Sequence, residues 1–175
     1  MGITISSNLV DSLLEIQKLI TGVAYLLGLL FIFKALYSLR THAESKSQAQ
    51  GGMKEALVYI MVGSMLLYFP TGFEVMMNTM FGYSDVLAYA PVGVGNPILS
   101  TLFGQNSMMG YTLALVVQVI GGFAFVRGWV LVSRSASQGQ PPGAMGQGLM
   151  HVFGGVLAMN IIGTLQVLQN TLLGV

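Results

Sequence analysis

Residues 16–39 read IQKLITGVAYLLGLLFIFKALYSL. This stretch holds Lys18 near one end, Lys34 near the other, and no acidic residue. A helix needs about 20 predominantly apolar residues to cross the ~30 Å hydrocarbon core of a bilayer, so the stretch predicts a membrane-spanning helix. Residues 56–81, 109–133 and 148–174 meet the same criterion. The second of these holds Pro70 and Glu74, the third Arg127, and the fourth His151, Asn160 and Gln166. Composition agrees. Of 175 residues, 54% are hydrophobic and 7% charged, with a mean hydropathy of +0.74. Soluble domains carry about 25% charged residues, so these few charges cannot clothe a surface facing water. The fold class expected is an all-α membrane protein with four transmembrane helices.

The same inventory limits function. There is no cysteine, which removes disulfides, thiolate metal sites and thiol nucleophiles. A net charge of +1 is too small for an electrostatic nucleic-acid platform. The two histidines, His42 and His151, lie far apart in sequence, and no metal site is expected. There is no Walker lysine motif, no H-E-x-x-H, no G-x-S-x-G and no paired carboxylates, so no catalytic residue and no cofactor is assigned. The twelve methionines read as flexible apolar packing. The start of the chain, MGITISSNLVDSLLEIQKL, lacks the positive segment of a cleavable signal. Met1-Gly2 with Ser6 formally fits a myristoylation pattern.

Basic residues mark the cytoplasmic side. Lys34, Arg40, Lys46 and Lys54 surround the first connection, and Arg127 and Arg134 approach the third. The middle connection has Asp85 and no base. Connections one and three are therefore expected inside, and both termini and the middle connection outside, in the periplasm of a Gram-negative cell. Residues 1–15 are expected to form an amphipathic segment lying on the membrane, or else an extension of the first helix. Residues 83–108 form a connector with Pro91, Pro97, Gly93 and Gly95 among apolar residues, expected to pack on a partner or on the membrane surface.

Residues 16–82 and 109–175 read as two copies of one helical hairpin. A shift of 100 residues lays Ile20, Gly22, Ala24 and Gly28 on Ile120, Gly122, Ala124 and Gly128, and Lys34 on Arg134. A shift of 92 lays Gly63, Val75, Asn78 and Thr79 on Gly155, Val167, Asn170 and Thr171. Each unit has two spans, so the copies are parallel rather than inverted. Ala24-x-x-x-Gly28, Ala124-x-x-x-Gly128 and Gly154-x-x-x-Ala158 are small-residue pairs one helical turn apart, which let helix backbones approach closely in lipid. They are the expected helix-packing and self-assembly faces.

Charges within spans are costly and mark candidate sites. Lys18 and Glu74 are expected at similar depth near the outer side, as an ion pair that fixes the hairpin's register. A polar path or snorkelling into headgroups are the alternatives. Gln118 and Gln166 stand in their places in the second unit. Arg127, about two turns inside the cytoplasmic end, and Arg134 are expected to contact phospholipid headgroups. His151 and Asn160 are expected to hydrogen-bond a neighbouring helix, and Pro70 to kink the second span.

The segment 148–161, GLMHVFGGVLAMNI, resembles a stretch in small membrane proteins of type IVB secretion systems. These are the DotE/IcmC and DotP/IcmD families, with TraQ- and TraR-like counterparts on IncI-type conjugative plasmids. Length and span number fit the DotE/TraQ-like members better. The likeness is strongest over 143–174. Each hairpin, two apolar helices around a basic turn, also resembles a type IV secretion pilin, although this chain is duplicated. The resemblance implies a non-enzymatic structural subunit of a secretion or conjugation apparatus in the inner membrane, forming a channel or a pilus-like, even extracellular, tube. Its partners would be copies of itself, other secretion subunits and phospholipid, with transported DNA or protein met only indirectly. A small transporter or ion channel using Lys18, Glu74 and Asn160, and a holin- or immunity-like protein, are the rival readings.

Overall fold

A computed structural model describes residues 2–44, 50–82, 108–137 and 143–173. The expectations for the connector 83–107 lie outside them. Six helices follow in order: α1 Gly2–Glu44, α2 Gln50–Leu67, α3 Phe69–Phe81, α4 Met108–Ser135, α5 Ala144–Met159 and α6 Ile161–Leu173. All regular structure among the described residues is helical. α1 and α4 are each long and apolar enough to cross a membrane, and counting each bent pair α2–α3 and α5–α6 as one span gives up to four.

α1 runs without a break across the boundary expected at residue 15. At 1.5 Å per residue its 43 residues extend roughly 64 Å, about twice a hydrocarbon core. Residues 2–15 are therefore an extension of the first helix.

The spans expected over 56–81 and 148–174 are each broken into two helices at a sharp bend. α2 and α3 meet at 89°, and α5 and α6 at 92°. The first break is the one Pro70 implies, though sharper than a kink. Pro70 has no amide hydrogen, and its ring excludes the preceding turn. Tyr68 (φ −97°, ψ 32°) leaves helical geometry, and proline sits in the first turn of α3 where its missing donor costs nothing. The second break has no proline. Asn160 (φ −111°, ψ 54°) ends α5 and begins α6. Its Oδ1 accepts a hydrogen bond from the Gly163 amide at 3.3 Å, the bond an N-cap residue makes to the third residue of its helix. The Thr164 hydroxyl donates across the bend to the Leu157 carbonyl at 2.8 Å, satisfying an acceptor that the break strands. The interhelix bond expected of Asn160 is thus, in part, a cap on its own next helix.

Glycines set the hairpins. A Cβ on Gly28 would stand 2.7 Å from the Leu67 nitrogen and 2.9 Å from the Gly63 oxygen. On Gly121 it would stand 2.7 Å from the Met159 nitrogen and 2.8 Å from the Gly155 oxygen; on Gly128, 2.7 Å from the Val152 nitrogen and 2.8 Å from the Gly148 oxygen. Backbones touch at these crossings, and the α4–α5 and α1–α2 contacts are the most extensive in the fold. Small residues therefore perform the packing role expected of Gly28 and Gly128, but within the chain. Ala24 is fully buried in the core between the hairpins. Ala158 faces Gly121, whereas Gly154 is exposed with nothing within 4 Å of a Cβ there. The Gly154–Ala158 pair is not a packing face in the monomer.

The crossings also correct the register of the internal comparison. Gly28 meets Gly63, but Gly128 does not meet Gly155; Gly121 does. The counterpart of Gly28 is thus Gly121, 93 residues on, rather than Gly128. Under that register Lys34 corresponds to Arg127, and Ala35 and Ala56, both fully buried, correspond to Gly128 and Gly148. A seven-residue slide is two helical turns and keeps nearly the same face forward, so side-chain identities alone do not distinguish the two alignments.

The hairpins join through α4, which packs on α1 and α2. Phe125 stands edge-on to Phe69, Phe73 and Trp129, with ring centroids 5.5, 5.7 and 6.2 Å away. Each such pair contributes about 0.5–1.5 kcal/mol beyond area burial. Val62, Leu66, Met77, Val132, Val152 and Val156 complete the core.

Candidate functional site

A cavity of about 580 Å³ opens between α1, α3 and α4. On α1, Asp11, Glu15 and Lys18 recur at helical spacing along its wall, with Leu14, Gln17, Ile20 and Thr21 beside them. Phe69, Pro70, Phe73 and Glu74 enter from the bend into α3, and Gln118, Val119 and Gly122 from α4. Met159, at the end of α5, closes the far side. The bend at Tyr68 is what makes the space: it carries α3 aside from the axis of α2. The floor is apolar and the charges gather on α1 and α3, three carboxylates against one ammonium.

The two residues expected to pair, Lys18 and Glu74, line this one cavity. The ion pair between them does not form. Lys18 Nζ donates instead to Glu15 Oε1 at 2.9 Å, three residues earlier on its own helix, with both side chains more than 70% exposed. Among the described residues the other ion pair, Arg40 to Glu44 at 2.7 Å, is likewise within α1. A partner one turn away is reached by a local rotamer, whereas Glu74 requires reaching across the groove. Gln118 also faces the cavity, while Gln166 lies on α6, outside it. Arg127 and Arg134 are exposed on α4. His151 does not bond another helix: its Nδ1 donates to the Gln147 carbonyl at 2.8 Å on its own.

A second polar cluster sits toward the opposite end. Tyr59, 1% exposed, donates its hydroxyl proton to Glu55 Oε1 at 2.7 Å and accepts from the Ser137 hydroxyl at 2.8 Å. Lys34 Nζ lies 4.3 Å from the centre of the Tyr59 ring, and Phe31 stacks on that ring at 6.0 Å. The cluster draws on α1, on α2 and on the turn that follows α4, tying the two hairpins together. Sequence reasoning did not single out Tyr59, Glu55 or Ser137. The i, i+4 spacing of Glu55 and Tyr59 was visible in the sequence; the approach of Ser137, 78 residues away, was not. Among the described residues no group of three or more His, Asp or Glu side chains could hold a metal ion.

Comparison with family models, with curated proteins and with solved structures returns no match to this chain.

Proposed function

We propose that the chain is a structural subunit of a type IVB secretion or conjugation apparatus, embedded in the inner membrane as two tandem parallel hairpins and assembled with copies of itself. The resemblance over 143–174 supplies the system. The observation that carries the structural role is a stripe on α1. Leu19, Leu26, Leu30, Phe33 and Tyr37, each at least 59% exposed, recur at spacings of seven, four, three and four, the pattern of a helix that packs against another helix. The chain's own close crossings are already occupied, so a neighbouring copy is assigned to this stripe rather than to Ala24–Gly28 and Ala124–Gly128. The matched bends at Tyr68 and Asn160, 92 residues apart, and the matched small-residue crossings support the duplication. The basic residues Lys34, Arg40, Lys54, Arg127 and Arg134 set the cytoplasmic side, with both termini periplasmic and Arg127 and Arg134 at the headgroups. α3 and α6, turned aside at the bends, lie along the outer surface.

The test is oxidative cross-linking of single cysteines in native membranes, which a cysteine-free chain permits without background. Cysteines at Leu26, Leu30 and Phe33 are expected to give dimer, and cysteine at Leu57 on α2 is not. Uniformly absent dimer across the stripe removes the assembly role. Loss of DNA or effector transfer on deletion of the gene, with membrane integrity intact, tests the assignment to secretion.

A second reading, a small transporter or channel, is favoured by the cavity that brings Lys18, Glu74 and Gln118 together. Asn160 leaves that path, because its side chain caps α6. Ion flux in proteoliposomes that disappears in Glu74→Gln supports this reading, and no flux from the native chain removes it.

A further inference from the structure

We infer that the cavity between α1, α3 and α4 holds a phospholipid of the outer leaflet whose headgroup carries a primary ammonium. The inference rests on the membrane reading above and is independent of the assignment to secretion. Depth comes first. Lys18 lies 22 residues before Arg40 on one uninterrupted helix, roughly 33 Å along the axis, which matches the span from one headgroup layer to the other across a ~30 Å hydrocarbon core. With Arg40 at the inner headgroups, the charged wall of the cavity stands at the outer ones. Its floor of Phe69, Phe73, Val119 and Met159 lies below, at the depth of acyl chains.

Charge then selects the head. Three carboxylates, Asp11, Glu15 and Glu74, face a single ammonium, Lys18. Glu15 and Lys18 neutralise each other, which leaves Asp11 and Glu74 as a net negative mouth. An anionic lipid is repelled there. A zwitterionic one fits, its ammonium donating to Asp11 or Glu74 and its phosphate drawing Lys18 away from the exposed bond with Glu15. A primary ammonium donates charge-assisted hydrogen bonds to carboxylates, and a quaternary one has no N–H to donate. The cavity's 580 Å³ falls within the range of small-molecule sites and takes part of one lipid.

The full chain, first shown to require detergent for extraction from membranes, is purified, and its retained lipid is quantified by mass spectrometry against the bulk membrane extract. We expect the ratio of ethanolamine to glycerol phospholipid in the retained lipid to stand about tenfold above that ratio in the bulk extract, the worth of one charge-assisted hydrogen bond. Enrichment should fall to near bulk in the Asp11→Asn, Glu74→Gln double variant and persist in Glu44→Gln at the opposite end of α1. In nanodiscs, ethanolamine lipid should raise the Tm above choline or glycerol lipid for the native chain only. Circular dichroism and size-exclusion profiles show that the variants fold; all the substituted carboxylates are exposed. Enrichment of phosphatidylglycerol, no enrichment, enrichment unmoved by the double variant, or equal stabilisation by choline lipid or a soluble polyamine would each overturn the inference. A chain that needs no detergent fails the membrane reading instead, before any lipid is measured.

Discussion

Gly128→Ala tests the tightest part of the fold. The new methyl carbon would lie 2.7 Å from the Val152 nitrogen and 2.8 Å from the Gly148 oxygen, roughly 0.7 Å short of the 3.4 Å at which ordinary contact begins. Both obstacles are backbone atoms of α5, so no rotamer relieves the clash and the helices must separate. A second crossing at Gly121 and Gly155, one heptad away on the same faces, resists pivoting. Overpacking of this kind costs about 1–3 kcal/mol. Replacing a helical glycine by alanine also gains about 0.5–1 kcal/mol of backbone entropy. That gain is removed by comparison with Gly154→Ala, where a Cβ meets nothing within 4 Å. The difference between the variants is then packing alone, about 1–3 kcal/mol, or roughly 5- to 150-fold in the folded-to-unfolded ratio. Unfolding is followed in mixed micelles of rising denaturing-detergent fraction. The fluorescence of Trp129, the single tryptophan, reports it, since that ring packs on Phe125 beside the crossing. Equal stability of Gly128→Ala and Gly154→Ala would refute the claim that backbone contact at this crossing holds the second hairpin.

Gly28→Ala should lose a similar amount relative to Gly22→Ala, where a Cβ meets nothing within 4 Å; thermal unfolding of the purified pair checks this. Asn160→Ala removes the side-chain cap of α6 and should cost about 0.5–2 kcal/mol, with faster amide exchange over Gly163 and Thr164 than in the native chain. Tyr59→Phe keeps the ring stacked on Phe31 and under Lys34 but removes the hydroxyl that bonds Glu55 and Ser137 at 2.7 and 2.8 Å, leaving the Ser137 hydroxyl's 3.4 Å bond to Glu55 Oε1. A loss of about 1–3 kcal/mol is expected in the same micelle titration, and Tyr59→Phe made in a Glu55→Gln background should lose less, because the bond then lacks its charge.

What the sequence carried was apolar length and small residues. Residues 16–39 and 109–133 were legible as helices because a run of that length without acids admits little else. Pro70 announced the first bend. The second was hidden because asparagine signals a cap only where a helix begins, and nothing at residue 160 marks a beginning amid apolar neighbours. Gly28 and Gly128 were legible as packing residues, but which backbone each meets depends on antiparallel register. Glycines at 121 and 128 facing glycines at 148 and 155 satisfy the same face pattern one heptad apart. Lys18 and Glu74 line one cavity but do not pair, because a local partner, Glu15, is reached at less entropic cost than one across a groove. The Tyr59 cluster depends on the turn after α4 reaching α2, a tertiary fact without local signal.

The central claim is that each hairpin's second arm turns through a right angle at matched positions, and spin-label distances in nanodiscs measure it directly. In the Leu57→Cys, Met80→Cys pair, arms of about 17 and 18 Å meeting at a right angle give a backbone separation of ~24 Å, against ~35 Å for one straight helix. In the Met150→Cys, Leu172→Cys pair the corresponding values are ~23 Å and ~33 Å. Short distances in both pairs are the predicted result; long distances in both, the mark of two continuous spans, would contradict it.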